Sequence, residues 1–255
     1  MKVGMYYNNS DVRVEEMPVP QIGPDELLVK VYASGICGSD ILEWYRVKKA
    51  PSVLGHELAG EVVAAGEEVE GYAVGERVTV THHVPCNTCH YCLGGHHTAC
   101  ETLHTTTFYP GGFAQYVRIP AINVDRGVLP LPHEVSYEEG SFVEPLGTVV
   151  RGATRAGIGP GDSMLILGCG IAGLLHVKMA RALGAGRIIA TDLNEFRREA
   201  AAHRGADHVL DAREDVPARV REVNDGRLVD KVIICAGALS AAEQALQCVD
   251  RGGVV

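Results

Sequence analysis

Long uninterrupted apolar runs are missing from this 255-residue sequence, although 46% of its residues are hydrophobic. A membrane-spanning helix needs roughly 18 or more apolar residues in a row, so no such helix is predicted. The N-terminal stretch MKVGMYYNNSDVRVEE also lacks the apolar core and the cleavage site of a signal peptide. We therefore expect a globular cytoplasmic protein without a membrane partner.

Basic residues are also scarce relative to acidic ones, with 23 Lys and Arg against 32 Asp and Glu, a net charge of −9. A surface that neutralises nucleic-acid phosphates needs the opposite balance, so nucleic acid is not expected as a main partner. Repeats of fixed period and low-complexity tracts are absent too. The length then allows one large domain or two ordinary ones.

Two patterns of predicted secondary structure follow one another along the chain. The first part has short β-prone runs between Gly and Pro, such as ELLVKVYASGIC, LAGEVVAAG, ERVTVTHHV and GGFAQYVRI, a pattern typical of an antiparallel, barrel-like domain. Beyond PGD at 160–162, apolar strands alternate with helix-period segments, which predicts a doubly wound parallel sheet. We therefore predict an α/β protein with one domain at 1–150 and a second at 151–255.

GCGIAG fits the pattern G-x-G-x-x-G, with a predicted strand before it and an apolar-faced helix after it. The first glycine permits a tight turn, the second lets the backbone approach a pyrophosphate, and the third lets helix and strand pack closely. The alternative is a glycine turn of another α/β protein. The predicted contacts of a dinucleotide are Gly168, Gly170, Ile171 and Gly173.

Asp192 ends the next predicted strand, 19 residues after Gly173, where a carboxylate can accept both hydroxyls of the adenine ribose. The same carboxylate would repel the 2′-phosphate of NADP. NAD is therefore the predicted cofactor, with Arg197 flanking the same edge of the ribose.

CNTCHYCLGGHHTAC brings four cysteines into one short loop at the spacing C-x2-C-x2-C-x7-C: Cys86, Cys89, Cys92 and Cys100. In a reducing compartment this spacing favours metal ligation over disulfides. Four thiolates close a tetrahedral zinc shell, which predicts a structural role. Nearby histidines could replace a thiolate, but we interpret them as solvated loop residues: His82, His83, His90, His96, His97 and His104.

A reacting metal needs an open coordination position, which Cys, His and carboxylate ligands from separate segments can leave free. Cys37 stands in GICGSD, His56 and Glu57 are adjacent in GHELAGEVVAAGEEV, and Glu144 stands in FVEPLG. Three ligands from distant segments describe a catalytic zinc site. Taken singly, a Cys, a His or a Glu of this kind would more often be structural.

These motifs resemble the zinc-dependent medium-chain alcohol and polyol dehydrogenases. GHELAGEVVAAGEEV fits the zinc-site signature G-H-E-x-x-G-x-x-x-x-x-G-x-x-V, and CGSD, the four-cysteine lobe, EPL and GCGIAG follow in that family's order. The resemblance implies a GroES-like catalytic domain joined to a Rossmann domain, and two zinc ions per chain.

The resemblance also assigns roles to residues of this sequence. Cys37 and His56 would bind the catalytic zinc, and either Glu57 or Glu144 would complete its shell or exchange within it. Ser39 would hydrogen-bond the substrate hydroxyl, and Asp40 would orient His56. The alternative for Ser39 and Asp40 is an ordinary polar turn.

With a glutamate in EPL, the sequence is similar to the sorbitol and threonine dehydrogenase branch of the family. This resemblance implies NAD-linked oxidation of a secondary alcohol or polyol, a reaction of class EC 1.1.1. Leu42 stands where some relatives carry a relay histidine, so the proton route beyond Ser39 stays open. Trp44 and Tyr45 could line a pocket or only pack.

The family's chains continue through the rest of the parallel sheet and pair subunits beyond the position of residue 255. RGGVV reads as a turn and the start of another buried strand, so we expect a fragment or truncated product, with the full-length form a homodimer or homotetramer. An inactive remnant or a non-catalytic zinc- and nucleotide-binding module is the alternative function. A zinc-independent quinone reductase is opposed by Cys37, His56 and the lobe cysteines.

Overall fold

The N-terminal unit, Met1–Pro145, consists mainly of antiparallel strands in the computed structural model, which describes residues 1–255. Three strands form a sheet in the order β2-β1-β4, and five form another in the order β7-β3-β5-β6-β8. The strands are β1 (Lys2–Asn8), β2 (Asp11–Glu16), β3 (Leu27–Gly35), β4 (Ser52–Val53), β5 (Glu57–Ala65), β6 (Arg77–Thr81), β7 (Tyr116–Ile119) and β8 (Val128–Pro130).

Only short helices interrupt these strands. The α-helices are α1 (Glu43–Arg46), α2 (His90–Leu93), α3 (Glu101–Thr105), α4 (Ala121–Gly127) and α5 (Tyr137–Gly140), and the 3-10 helices are Gly38–Ile41, Val47–Lys49 and His97–Ala99. All four β-prone runs named from the sequence contain a strand of the larger sheet.

A single core joins the two antiparallel sheets. Val3 of the small sheet packs in one apolar cluster with Leu27, Val62 and Val117 of the large sheet. Each of these side chains is at most 2% exposed. The inward-facing side chains of both sheets thus fill a common interior, as a barrel-like domain requires.

The C-terminal unit, Leu146–Val255, contains a parallel five-stranded sheet in the order β11-β10-β9-β12-β13. Its strands are β9 (Ser163–Leu167), β10 (Arg187–Asp192), β11 (His208–Asp211), β12 (Val229–Ile234) and β13 (Val249–Val254), and its helices are α6 (Val143–Ala156, starting just before the unit), α7 (Ile171–Ala182), α8 (Glu195–His203), α9 (Val216–Val223) and α10 (Leu239–Cys248). The order of strands and the alternation with helices confirm a doubly wound α/β fold.

Helices cover both faces of this sheet. Met164 and Ile166 of β9 point into one cluster with α6, α7 and α8, while Leu165 and Leu167 point into another with α9 and α10. Burial on both faces explains why the strand SMLIL is apolar at nearly every position.

RGGVV belongs to a strand that begins earlier than the sequence suggested. β13 starts at Val249, pairs in parallel with β12 and lies at the sheet edge. Arg251 and Gly252 lie within β13, so the turn expected at these residues was wrong, whereas the expected strand is present. None of the helices combines the length and the apolar character that a bilayer crossing demands.

Candidate active site and cofactor-binding loop

The pairing of β3 with β5 brings the first candidate ligands together. Gly35, at the end of β3, lies opposite Glu57, at the start of β5. A side chain at Gly35 would collide with the Glu57 carboxylate, so glycine permits this close approach. The ligand atoms of Cys37, His56 and Glu57 consequently lie within 4.8 Å of one another.

Asp40 contacts two of the three residues of this cluster. Its Oδ2 accepts the backbone N–H of Cys37 at 3.1 Å, and its Oδ1 lies 3.6 Å from Nδ1 of His56. The side chain is only 4% exposed. The structure therefore places Asp40 where it can hold both the Cys37 turn and the His56 ring.

Burial disfavours the charged forms of Glu57 and Cys37 unless a cation is bound beside them. It raises the pKa of the Glu57 carboxyl, against the opposing effects of His56 and the Cys37 hydrogen bond. Burial likewise raises the pKa of the Cys37 thiol, although hydrogen bonds from Ser39 oppose it. A thiolate, an imidazole and a carboxylate are ligands that zinc accepts, and three of them leave a fourth position open. The donor set therefore fits zinc.

Glu144 lies beside the cluster but is not grouped with it. Its Oε1 is 4.0 Å from Nδ1 of His82, and burial raises the pKa of its carboxyl. The atoms within 4.8 Å of one another are those of Cys37, His56 and Glu57. Of the two glutamates considered as the third ligand, Glu57 has the nearer position.

His82 is not a solvated loop residue, and that interpretation of the sequence was wrong. Its ring centre lies 4.6 Å from that of His56, its side chain is 16% exposed, and its buried Nδ1 has no hydrogen-bond partner. Burial and the neighbouring positive groups lower its pKa to about 2, so the ring is neutral. The strand register carries the missed signal, because Thr81 pairs with Glu57 and His82 follows directly.

Arg46 is a second residue that sequence reasoning missed. Its Nη2 donates to Oγ of Ser39 at 2.8 Å, its Nε donates to the Ser39 carbonyl at 2.9 Å, and Nη2 also pairs with Asp40 at 3.2 Å. This guanidinium fixes the position of the Ser39 hydroxyl. No spacing rule links an arginine to a serine seven positions earlier, so only the fold reveals the contact.

Trp44 and Tyr45 differ in their surroundings. Tyr45 lines a cavity of about 440 Å³ together with Ser39 and His56, whereas Trp44 is 68% exposed and does not line it. The guanidinium of Arg46 lies 5.0 Å from the centre of the Tyr45 ring. The pocket-lining alternative therefore holds for Tyr45 alone.

The four lobe cysteines converge as their spacing predicts. The Sγ atoms are 3.5 Å apart for Cys89 and Cys92, 3.6 Å for Cys86 and Cys100, and 4.0 Å for Cys86 and Cys92. Four sulfurs bound to one zinc at about 2.3 Å would be about 3.8 Å apart in a tetrahedron. The lobe therefore fits a zinc ion that leaves no open position.

The remaining histidines of the lobe stay outside this cluster. His90 and His96 are exposed, and His104 bonds through Nε2 to the carbonyl of Thr98 at 2.9 Å. None of them is among the grouped metal-ligand atoms.

The glycine-rich loop has the geometry of a dinucleotide-binding turn. Gly168 has a φ of +98°, which favours glycine, and a side chain at Gly173 would collide with the Gly168 carbonyl. Gly170 precedes α7, and a Cβ placed there would meet nothing within 4 Å. Ile171 is the first residue of α7 and is 46% exposed. The open side of this turn can therefore receive a pyrophosphate at the helix N-terminus.

Asp192, at the end of β10, is hydrogen-bonded to the glycine-rich loop. Its two carboxylate oxygens accept the backbone N–H groups of Cys169 and Asn194, each at 2.8 Å, and Nη1 of Arg197 lies 3.9 Å away. Asp192 and Arg197 both line a cavity of about 200 Å³ beside Gly168. The carboxylate acceptor of Asp192 and this cavity fit the adenosine half of a dinucleotide.

Comparison with known proteins identifies the family. Residues 23–133 match the alcohol dehydrogenase GroES-like domain, and residues 172–255 match the zinc-binding dehydrogenase family. The sorbitol dehydrogenase of Bacillus subtilis (strain 168) is 38% identical over 263 residues, which cover 99% of this chain and 73% of that enzyme. The chain belongs to the zinc-dependent medium-chain dehydrogenases. The resemblance and the fold class predicted from the sequence are thereby confirmed.

Two other medium-chain dehydrogenase relatives extend the comparison. The L-threonine 3-dehydrogenase of Pyrococcus abyssi is 40% identical over 250 residues, covering 94% of this chain and 70% of that enzyme. A zinc-binding dehydrogenase structure from Sinorhizobium meliloti 1021, bound to NADP, has a TM-score of 0.88 and 33% identity, covering 99% of this chain and 75% of that one. The chain is thus an oxidoreductase of this family, and it spans about three quarters of their length.

Proposed function

We propose that this medium-chain dehydrogenase oxidises secondary alcohols or polyols with NAD, at the site formed by Cys37, His56 and Glu57. The convergence of these three ligand atoms within 4.8 Å is the observation that carries the proposal. In the overall reaction the alcohol carbon gives a hydride to NAD and the hydroxyl gives up a proton, which leaves a ketone, NADH and H⁺. When bound, zinc supplies Lewis acidity and NAD supplies the hydride acceptor.

Ser39 is the proposed first acceptor of the proton. Its Oγ already accepts a hydrogen bond from Arg46, which leaves a lone pair for the substrate hydroxyl. Arg46 stays protonated, so it positions Ser39 but cannot carry the proton further. Asp40 holds the Cys37 turn and the His56 ring, and a rigid cluster of this kind keeps its ligands oriented.

The lobe formed by Cys86, Cys89, Cys92 and Cys100 is proposed to hold a structural zinc. Four soft donors at tetrahedral spacing leave no position for a substrate. Its contribution would be to the stability of the 86–100 loop.

The choice of NAD rests on Asp192. This residue lines the proposed adenosine cavity, where its carboxylate would accept ribose hydroxyls, whereas a 2′-phosphate would face a negative charge there. Arg197 is the opposing influence, because its guanidinium lies 3.9 Å from that carboxylate. The NADP-bound relative makes this preference worth measuring directly.

Reduction of NAD and NADP with a panel of polyols and secondary alcohols tests the function, with zinc content determined in parallel. We expect two zinc ions per chain and a higher kcat/KM with NAD. A preparation that holds both zinc ions yet reduces neither cofactor with any alcohol would support the alternative of a binding module. Faster reduction of NADP would overturn the role given to Asp192.

A further inference from the structure

The cavity beside Ser39 and His56 has an unusual charge balance. Its lining includes two permanent cations, Arg46 and Lys49, and no Asp or Glu, in a volume of about 440 Å³. Every lining residue belongs to the N-terminal unit. A concave wall of this kind favours a ligand with negative charge.

The two cations are not equivalent. The Arg46 guanidinium is neutralised by Asp40 at 3.2 Å and is further held by Ser39. Lys49 is exposed and forms no ion pair, and its Nζ lies 5.7 Å from the centre of the Tyr45 ring. The ammonium group of Lys49 therefore lies at the edge of the cavity without a neutralising carboxylate.

Two histidines of the same wall are set up as hydrogen-bond acceptors. Nδ1 of His83 lies 2.9 Å from the Thr106 carbonyl, and Nε2 of His104 lies 2.9 Å from the Thr98 carbonyl. Because a carbonyl can only accept, each of these nitrogens carries the proton, and the other nitrogen of a neutral ring is an acceptor. Such acceptors suit the hydroxyl groups of a substrate.

We infer that the substrate is a polyhydroxylated anion, a sugar acid or a polyol phosphate, whose charged group is bound by Lys49. The inference rests on the proposed function, since the hydroxyl that reacts would lie at Ser39. Lys49 would be a specificity-determining residue that acts on the end of the substrate away from the reacting carbon.

The same charge balance disfavours an amino acid. L-threonine carries an ammonium group besides its carboxylate, and the cavity lining offers no carboxylate to pair with it. The substrate named for the threonine dehydrogenase relatives is therefore expected to be poor here.

Steady-state kinetics with matched substrates tests the inference. The panel contains epimeric hexonates, the corresponding neutral hexitols, the hexitol phosphates and L-threonine, each assayed with NAD. We expect one anionic class to exceed the matching hexitols in kcat/KM by about tenfold or more, as a charged hydrogen bond provides. Which anionic class leads distinguishes a carboxylate from a phosphate.

Lys48 provides a matched control, because it lies in the same 3-10 helix, Val47–Lys49, but over Trp44 and outside the cavity. Lys49→Gln should lower kcat/KM for the preferred anion about 10-fold to 100-fold, mainly through KM, and change the neutral hexitol about twofold at most. Lys48→Gln should change neither, and Lys49→Arg should retain most of the preference. Equal behaviour of the Lys48 and Lys49 variants, or a wild-type preference for neutral hexitols, would overturn the inference.

Calorimetric binding of a hexonate and a hexitol phosphate separates this inference from the proposed function. If no alcohol reduces NAD, the proposed function fails, and binding alone then decides the anion site. Weaker anion binding by Lys49→Gln than by Lys48→Gln would support the site. Equal affinities in the two variants would contradict it.

Discussion

The two ligand clusters of the N-terminal unit are built in opposite ways. The four-thiol lobe takes all its donors from one loop, 86–100, whereas the three-residue cluster joins Cys37, which follows β3, to His56 and Glu57 at the start of β5. The local cluster has the four donors that a tetrahedral zinc shell needs, so it leaves no open position. The dispersed cluster is held by Asp40, and its His56 lines a cavity, which gives a substrate access to this side of the cluster.

The largest expected effect separates the two clusters by activity. Cys37→Ala removes a donor from the dispersed cluster, so turnover should fall on the order of 10³-fold while Tm changes little. Zinc content should drop from two ions to one. Kinetics, metal analysis and thermal unfolding check this.

Cys248→Ala is the matched control for Cys37→Ala, since Cys248 is a buried cysteine of α10 outside both clusters. It should keep both zinc ions and most of the turnover. Full activity in Cys37→Ala would remove the basis for placing the reaction at this cluster.

The next effect concerns stability. Cys89→Ala opens the four-thiol shell, so we expect a loss of about 4 kcal/mol in free energy of unfolding and a Tm lower by roughly 8 to 16 °C. The neighbouring exposed His90, changed to Ala, should leave Tm and zinc content unaltered. A zinc loss in the His90 variant would show that a lobe histidine is a ligand after all.

A smaller effect tests the support beneath the dispersed cluster. Asp40→Asn keeps the shape but weakens the hold on His56, so zinc affinity at that cluster should fall about 10-fold to 100-fold. Competition with a chelator measures the change. Glu43→Gln, on the same segment but exposed, should bind zinc like the wild type.

The smallest effect is expected at Glu144, and its contrast with Glu57 distinguishes the two glutamates. Because Glu57 lies within 4.8 Å of the other ligands and Glu144 lies beside His82, Glu57→Gln should lose the second zinc, whereas Glu144→Gln should retain it with affinity changed about threefold at most. The reverse result in metal analysis would make Glu144 the third ligand.

The sequence predicted what depends on local pattern and missed what depends on strand register. The lobe cysteines and the loop from Gly168 to Gly173 lie close in sequence, so their spacing alone indicates their geometry. The contact of His82 with His56 arises only when β5 and β6 align. The contact of Arg46 with Ser39 is local, but it depends on how the short helices after β3 fold back on one another, and no spacing rule describes that path.

The C-terminal unit shows the same difference between what local pattern predicts and what strand pairing decides. Alternating strands and helices predicted the parallel sheet in outline, yet Arg251 and Gly252 lie inside β13 rather than in a turn before it. A pair of glycines is typical of a turn, and only the pairing with β12 shows that these residues belong to a strand.

The visible absorption spectrum of the cobalt(II)-substituted protein, titrated with imidazole, tests the central claim most directly. An added ligand can alter the bands only of a metal with an open coordination position. We predict that imidazole shifts part of the wild-type spectrum and none of the spectrum of Cys37→Ala, which retains only the four-thiol site. A shift that persists in Cys37→Ala would place the open metal in the lobe and contradict the account.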